Sequence, residues 1–149
     1  ETARQFGEDQ VQLWRRSYDV LPPLAEKDSQ FDPKTDKKYQ NINEELPLGE
    51  SLEKVVERVN STFLNLLELA KVKQVLVVAH GNSIRAMVKI LDNLSNTEIV
   101  DVNIPTGIPL AYKISESERT RIGYLGDSNK IEQLQKEVEL QSKVKEDKR

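Results

Sequence analysis

Leu52, Val55, Val56, Val59, Phe63, Leu66, Leu67 and Ala70 follow i, i+3, i+4, i+7 spacing. That period predicts an amphipathic helix of about five turns. Ser51 stands at its N-cap position, and Glu53, Lys54, Glu57 and Arg58 fall on its outer face. The next apolar run, Val75-Leu76-Val77-Val78-Ala79, is continuous and largely β-branched. It predicts a strand buried on both faces of a parallel or mixed sheet. After the turn His80-Gly81-Asn82-Ser83, the positions Ile84, Met87, Val88 and Leu91 mark a second helix. Residues Leu110 to Ile114 and Thr120 to Leu125 read as two strands joined by the polar turn Ser115-Glu116-Ser117-Glu118.

Residues Glu1 to Tyr18 favour helix, with Phe6, Val11, Leu13 and Trp14 as apolar positions. Gly7 interrupts the pattern, so two short helices fit as well as one, with Asp9 as the candidate cap of the second. Val20-Leu21-Pro22-Pro23 ends the segment, because proline removes a donor and pushes its predecessor to extended geometry. Residues 25–45 show no period and hold ten charged residues; a loop of that length within a domain is usually functional or mobile. Ser95-Asn96-Thr97-Glu98 has the capping-box pattern and opens a short helix through Val100. Asn103-Ile104-Pro105-Thr106-Gly107-Ile108-Pro109 is a loop. Residues 127–149 form a charged C-terminal helix or tail, in which six basic and six acidic residues cancel. No internal repeat and no second domain is visible.

Composition narrows the chemistry. The 149 residues fit one domain and contain no cysteine, which excludes a disulfide scaffold, a thiol nucleophile, zinc fingers and iron–sulfur ligation. A single histidine excludes a site built on two histidines of this chain. The net charge of −3 lacks the basic field of a nucleic-acid binder, and no apolar run is long enough to span a bilayer. The aspartates and glutamates of 32–45 have no metal-ligand spacing, so no metal is assigned. The chain begins Glu1-Thr2-Ala3-Arg4, without Met or an apolar leader, and enters helix-favouring sequence directly; a fragment of a longer chain is expected.

Two features carry candidate chemistry. His80-Gly81-Asn82 lies where a strand end meets a helix start, the place where open α/β sheets bind ligands and where helix N–H groups attract anions. There His80 is a phosphate ligand, a general acid or a nucleophile, Gly81 permits close backbone approach, and Asn82 can donate to an oxyanion. The plain structural alternative is a histidine packed at a strand end and bonded to backbone. Arg15 and Arg16 are the second feature. Adjacent helical residues diverge by roughly 100°, so one can enter a pocket while the other reaches round its rim, and guanidinium groups match carboxylate and phosphate geometry. The alternative is two solvated arginines, one lying over the Trp14 ring.

The segment Val77-Val78-Ala79-His80-Gly81-Asn82-Ser83-Ile84-Arg85-Ala86 resembles the second active-site histidine motif of the cofactor-dependent phosphoglycerate mutases. Asn103-Ile104-Pro105-Thr106-Gly107-Ile108-Pro109-Leu110 resembles the loop that follows it. Trp14-Arg15-Arg16-Ser17-Tyr18-Asp19 resembles the family's substrate-arginine helix. Glu45-Leu46-Pro47-Leu48-Gly49-Glu50-Ser51-Leu52 is similar to the start of its long helix, and Tyr124-Leu125-Gly126-Asp127 to its last strand. The likeness runs in register from residue 1 to about residue 130. It implies the histidine-phosphatase fold, a three-layer α/β/α sandwich. It also implies interconversion of 3- and 2-phosphoglycerate through a phosphohistidine primed by 2,3-bisphosphoglycerate. By position, His80 is implied to stabilise the transferring phosphoryl group, Gly81 and Asn82 to contact it, and Arg15 and Arg16 to bind the substrate's anionic end. The resemblance implies a cytoplasmic enzyme with a phosphoglycerate substrate, and no nucleic-acid or membrane partner; a homo-oligomer is left open for the full-length protein.

The family's nucleophile lies in an Arg-His-Gly motif and its general acid in an Asn-Glu-Arg-His-Tyr segment; neither occurs here. The chain is therefore expected to be the C-terminal portion of one such domain, with an incomplete sheet and half of a two-histidine site, and to be inactive alone. Gly49-Glu50-Ser51 has some likeness to the phosphatase branch, so a phosphatase or a bisphosphoglycerate synthase is the alternative. A non-catalytic anion-binding module is another.

Overall fold

A computed structural model describes residues 2–140. Helix α1 (Thr2–Phe6) is followed by α2 (Glu8–Arg16), α3 (Leu52–Ala70), α4 (Gly81–Leu91), strands β1 (Leu110–Ile114) and β2 (Arg119–Tyr124), and α5 (Ser128–Glu139). Short 3-10 turns stand at Pro33–Thr35, Lys37–Tyr39 and Glu98–Asp101.

Gly7 separates the first two helices as expected. Its φ of 85° is open to glycine and costly to other residues, and the chain turns there. Gly7 itself is the N-cap of α2, so Asp9 is not the cap. It sits with Glu8 inside the first turn, where negative charge meets the positive helix end. Trp14 stands edge-on to Phe6, ring centroids 5.2 Å apart.

Helix α3 forms as its period predicts. Ser51 caps it by accepting from the Lys54 N–H at 3.3 Å, and the stripe Leu52, Val55, Val59, Phe63 and Leu67 is buried. Leu52, Val55 and Val59 meet Ala86 of α4 and Ile99 of the last 3-10 turn, with Tyr18, Val56, Leu94 and Val102 packed around them. Full burial of such aliphatic side chains contributes about 1.5–3 kcal/mol each. The Glu53 N–H donates to the Tyr18 carbonyl at 2.8 Å, tying the segment after α2 to the start of α3. Ser95 and Glu98 close a reciprocal capping box: the Ser95 N–H donates to Glu98 Oε2 at 2.7 Å, and the Glu98 N–H to Ser95 Oγ at 3.2 Å.

The loop at 25–45 is irregular but not featureless. Buried Asp32 accepts from the backbone N–H groups of Asp28 and Lys34, at 2.8 and 2.9 Å, and caps the first 3-10 turn. Asp36 caps the second in the same way, accepting from the Lys38 N–H.

The sheet is not closed: among the described residues it consists of β1 and β2 in antiparallel register, with a bulge in β2 that leaves Ile122 unpaired between Arg121, opposite Tyr112, and Gly123, opposite Ala111; Gly123 has a φ of 118°. The expected strand over Val75 to Ala79 does not form as a paired strand. The segment belongs to no helix or strand, and Leu76 and Val78 are 83% and 86% exposed. Strand propensity needs a ladder partner, and among the described residues none borders this segment. Between it and β1 runs an apolar groove of about 490 Å³, floored by α3 and α4 and lined in part by Val75, Val77, Met87, Leu110 and Tyr112. The predicted C-terminal helix is α5; the remainder of that prediction, residues 141–149, lies outside the described residues. No helix among the described residues is long and apolar enough to cross a membrane.

Candidate active site

His80 is the N-cap of α4, with extended backbone (φ −63°, ψ 148°). Its ring is exposed, and Nδ1 accepts from the Asn82 backbone N–H at 3.2 Å. With Nδ1 accepting that N–H, Nε2 is the ring nitrogen left to carry a proton. His80 therefore presents a donor at Nε2, which suits holding an anionic oxygen. It does not present there the lone pair that a nucleophile needs. The contact to backbone matches part of the plain structural alternative, but the ring is not packed away. A Cβ at Gly81 would meet open space, so no packing demands glycine at that position.

Asn82 lies in the first turn of α4. Its Oδ1 accepts from Arg85 Nη1 at 3.3 Å, which leaves the amide nitrogen as the outward donor.

Arg15 and Arg16 end α2, where positive charge meets the negative helix end. The predicted divergence is seen: Arg15 is exposed and Arg16 only 6% exposed. The Trp14 ring stands against Phe6. Arg16 Nη2 donates to the Val138 carbonyl at the end of α5, at 3.2 Å. Its pKa is lowered, first by burial and then by the charge of Arg15.

Arg85 joins the two halves. This side chain is 3% exposed. Nη1 donates to the Arg15 carbonyl at 3.2 Å as well as to Asn82; Nη2 donates to the carbonyls of Arg16, at 3.1 Å, and Ile99, at 2.8 Å. All four acceptors are neutral, so the charge is not cancelled by them. Burial and the neighbouring Arg16 push the Arg85 pKa down to about 10, which leaves it a cation at neutral pH. Arg15, Arg16 and Arg85, the N-terminus of α4, and the outward donors of His80 and Asn82 thus gather positive potential in one place. The arrangement can bind and orient a small polyanion.

The Histidine phosphatase superfamily (branch 1) profile matches residues 1–120. The chain belongs to this superfamily. It is also 41% identical over 148 residues to a 2,3-bisphosphoglycerate-dependent phosphoglycerate mutase of Lachnoclostridium phytofermentans. That alignment covers 97% of this chain and 59% of the relative, so the chain spans well under two thirds of the relative's length.

Of the residues singled out by sequence in this chain of the histidine phosphatase superfamily, the backbone carbonyls of Arg15 and Arg16 and the side chain of Asn82 meet at Arg85, with His80 two residues from Asn82 on the same cap. Sequence reasoning passed over Arg85 itself. The available signal was a cation three residues after Asn82, beside the apolar stripe Ile84, Met87 and Val88. It also passed over α5, which reaches the site through the Val138 carbonyl and through Gln135, whose side-chain amide donates to the Asn103 carbonyl at 3.3 Å.

Proposed function

We propose that this chain supplies the anion-holding half of a phosphoglycerate mutase site, in a protein that interconverts 3- and 2-phosphoglycerate in the cytoplasm. The observation that supports this best is the junction at Arg85, which ties the Arg15-Arg16 helix end to the turn bearing His80 and Asn82. The name of the mutase relative agrees with it. The donor set suits 2,3-bisphosphoglycerate: guanidinium groups for its carboxylate and distal phosphate, and the start of α4 for a second phosphate. When bound, that compound supplies the priming phosphoryl group. His80 Nε2–H donates to a non-bridging oxygen, Asn82 donates beside it, and the room around Gly81 lets the anion approach the backbone. Phosphoryl transfer depends mainly on such positioning and charge stabilisation.

The nucleophile is a different matter. His80 is the sole histidine, and its Nδ1 contact leaves a proton, not a lone pair, at Nε2. We assign the nucleophilic histidine to sequence outside these 149 residues, and the apolar groove beside Val75 to Ala79 to the remainder of the sheet. The chain alone then binds phosphoglycerates without turning them over.

Incubation with 3-phosphoglycerate and 2,3-bisphosphoglycerate, read by coupled enolase assay, tests this. Binding without turnover is expected. Clear turnover by the chain alone contradicts the assignment of the nucleophile, and phosphate release in place of 2-phosphoglycerate from the full-length protein points to the phosphatase branch.

A further inference from the structure

Both terminal nitrogens of the Arg85 guanidinium donate to protein acceptors, while its buried Nε has no hydrogen-bond partner. One nitrogen is shared by the Arg15 carbonyl and the Asn82 side chain, and the other by the carbonyls of Arg16 and Ile99. These acceptors belong to three separate elements: the end of α2, the first turn of α4 and the turn Glu98–Asp101. A planar fork with fixed donor directions can hold four acceptors in one arrangement, whereas an ammonium group on a flexible stem cannot. The side chain that this fork orients, Asn82, and the backbone that it anchors, at Arg15 and Arg16, carry the groups assigned above to the anion. Holding Asn82 by its oxygen also fixes which end of the amide faces outward.

We propose that Arg85 is a positioning residue that sets the separation between the arginine pair of α2 and Asn82 of α4 for a small phosphorylated carboxylic acid, an inference that rests on the anion-holding reading above. Arg85 does not touch the ligand. It acts through Asn82 and the α2 carbonyls, as outer groups orient the ligands of a metal site.

The test uses the whole chain with Arg85→Lys and, as a control, Val88→Ala. Val88 is 1% exposed on the same helix and bonds to none of the site residues. Titration with 2,3-bisphosphoglycerate should show Arg85→Lys binding about tenfold to a hundredfold more weakly. Val88→Ala, though destabilised, should bind as the parent does. Equal affinity for Arg85→Lys and the parent overturns the proposal, as does a loss that simply tracks thermal stability in both variants. Amide spectra of the free proteins give an independent readout. In Arg85→Lys, the Asn82 side-chain amide and the Ser17 backbone amide should shift together, and in Val88→Ala they should not. If the parent chain fails to bind the probe while these two signals still move together, the anion-holding reading falls and the positioning role stands; unmoved signals overturn the role. Should Arg85→Lys fail to fold, Asn82→Ala carries the test from the other side. The amides at the end of α2 should then shift through Arg85, and unchanged α2 amides overturn the proposal.

Discussion

Arg85 Nη2 donates to the Arg16 carbonyl at 3.1 Å across 69 residues of sequence, and this bond joins the two candidate halves of the site. Arg85→Met would leave the buried Arg16 and Ile99 carbonyls without this donor. A buried polar group stripped of its partner costs about 1–3 kcal/mol. Chemical denaturation should therefore show a fall in stability of at least that order, while Lys37→Met, at an exposed position of the second 3-10 turn, changes stability little.

The His80 tautomer is directly measurable. With Nδ1 accepting from the Asn82 N–H, the long-range nitrogen–proton spectrum at a pH above the imidazole range should show the proton on Nε2. A proton on Nδ1 would instead make His80 a candidate nucleophile and return that role to this chain.

Helix α3 should respond as the principal wall of the core. Phe63 is 5% exposed, and Phe63→Ala should destabilise by about 3–5 kcal/mol. Ser51→Ala removes the N-cap acceptor and should cost about 1 kcal/mol. Phe31→Ala, at a residue 74% exposed, should fall within about 0.5 kcal/mol of the parent. Paired denaturation curves check all three.

Acid should loosen two capped turns. Backbone N–H donors from Asp28 and Lys34 hold the Asp32 carboxyl below its ordinary pKa, and the Ser95 hydroxyl and N–H do the same for Glu98. In each case the folded chain binds fewer protons than the unfolded chain. Their contribution is therefore complete above about pH 4 and is lost as pH falls through the lowered folded values. Hydrogen exchange at the Lys34 and Ser95 amides should accelerate below that range, and Asp32→Asn should flatten the response at Lys34.

Much of this structure was legible in the sequence because much of it is local. The stripe from Leu52 to Leu67, its Ser51 cap, the Ser95–Glu98 capping box and the β1–β2 hairpin each follow from residues a few positions apart. The failures involve information that is not local. Val75 to Ala79 has a strand's composition, but pairing is decided by a neighbour, and none borders it among the described residues. Asp9 looked like a cap because side-chain caps are common, yet Gly7 turns the chain two residues earlier. In the site, His80, Gly81, Asn82, Arg15 and Arg16 could be named from motifs. Arg85 could not, since its role depends on carbonyls 69 and 70 positions away.

In the proposed function, the end of α2 and the start of α4 hold one polyanion between them. Titration of 2,3-bisphosphoglycerate into the isotopically labelled chain tests it most directly. Saturable shifts at Arg15, Arg16, Gly81, Asn82 and the His80 ring, with a single affinity, are expected. Shifts that miss either helix end, or no saturable shift at all, would contradict it.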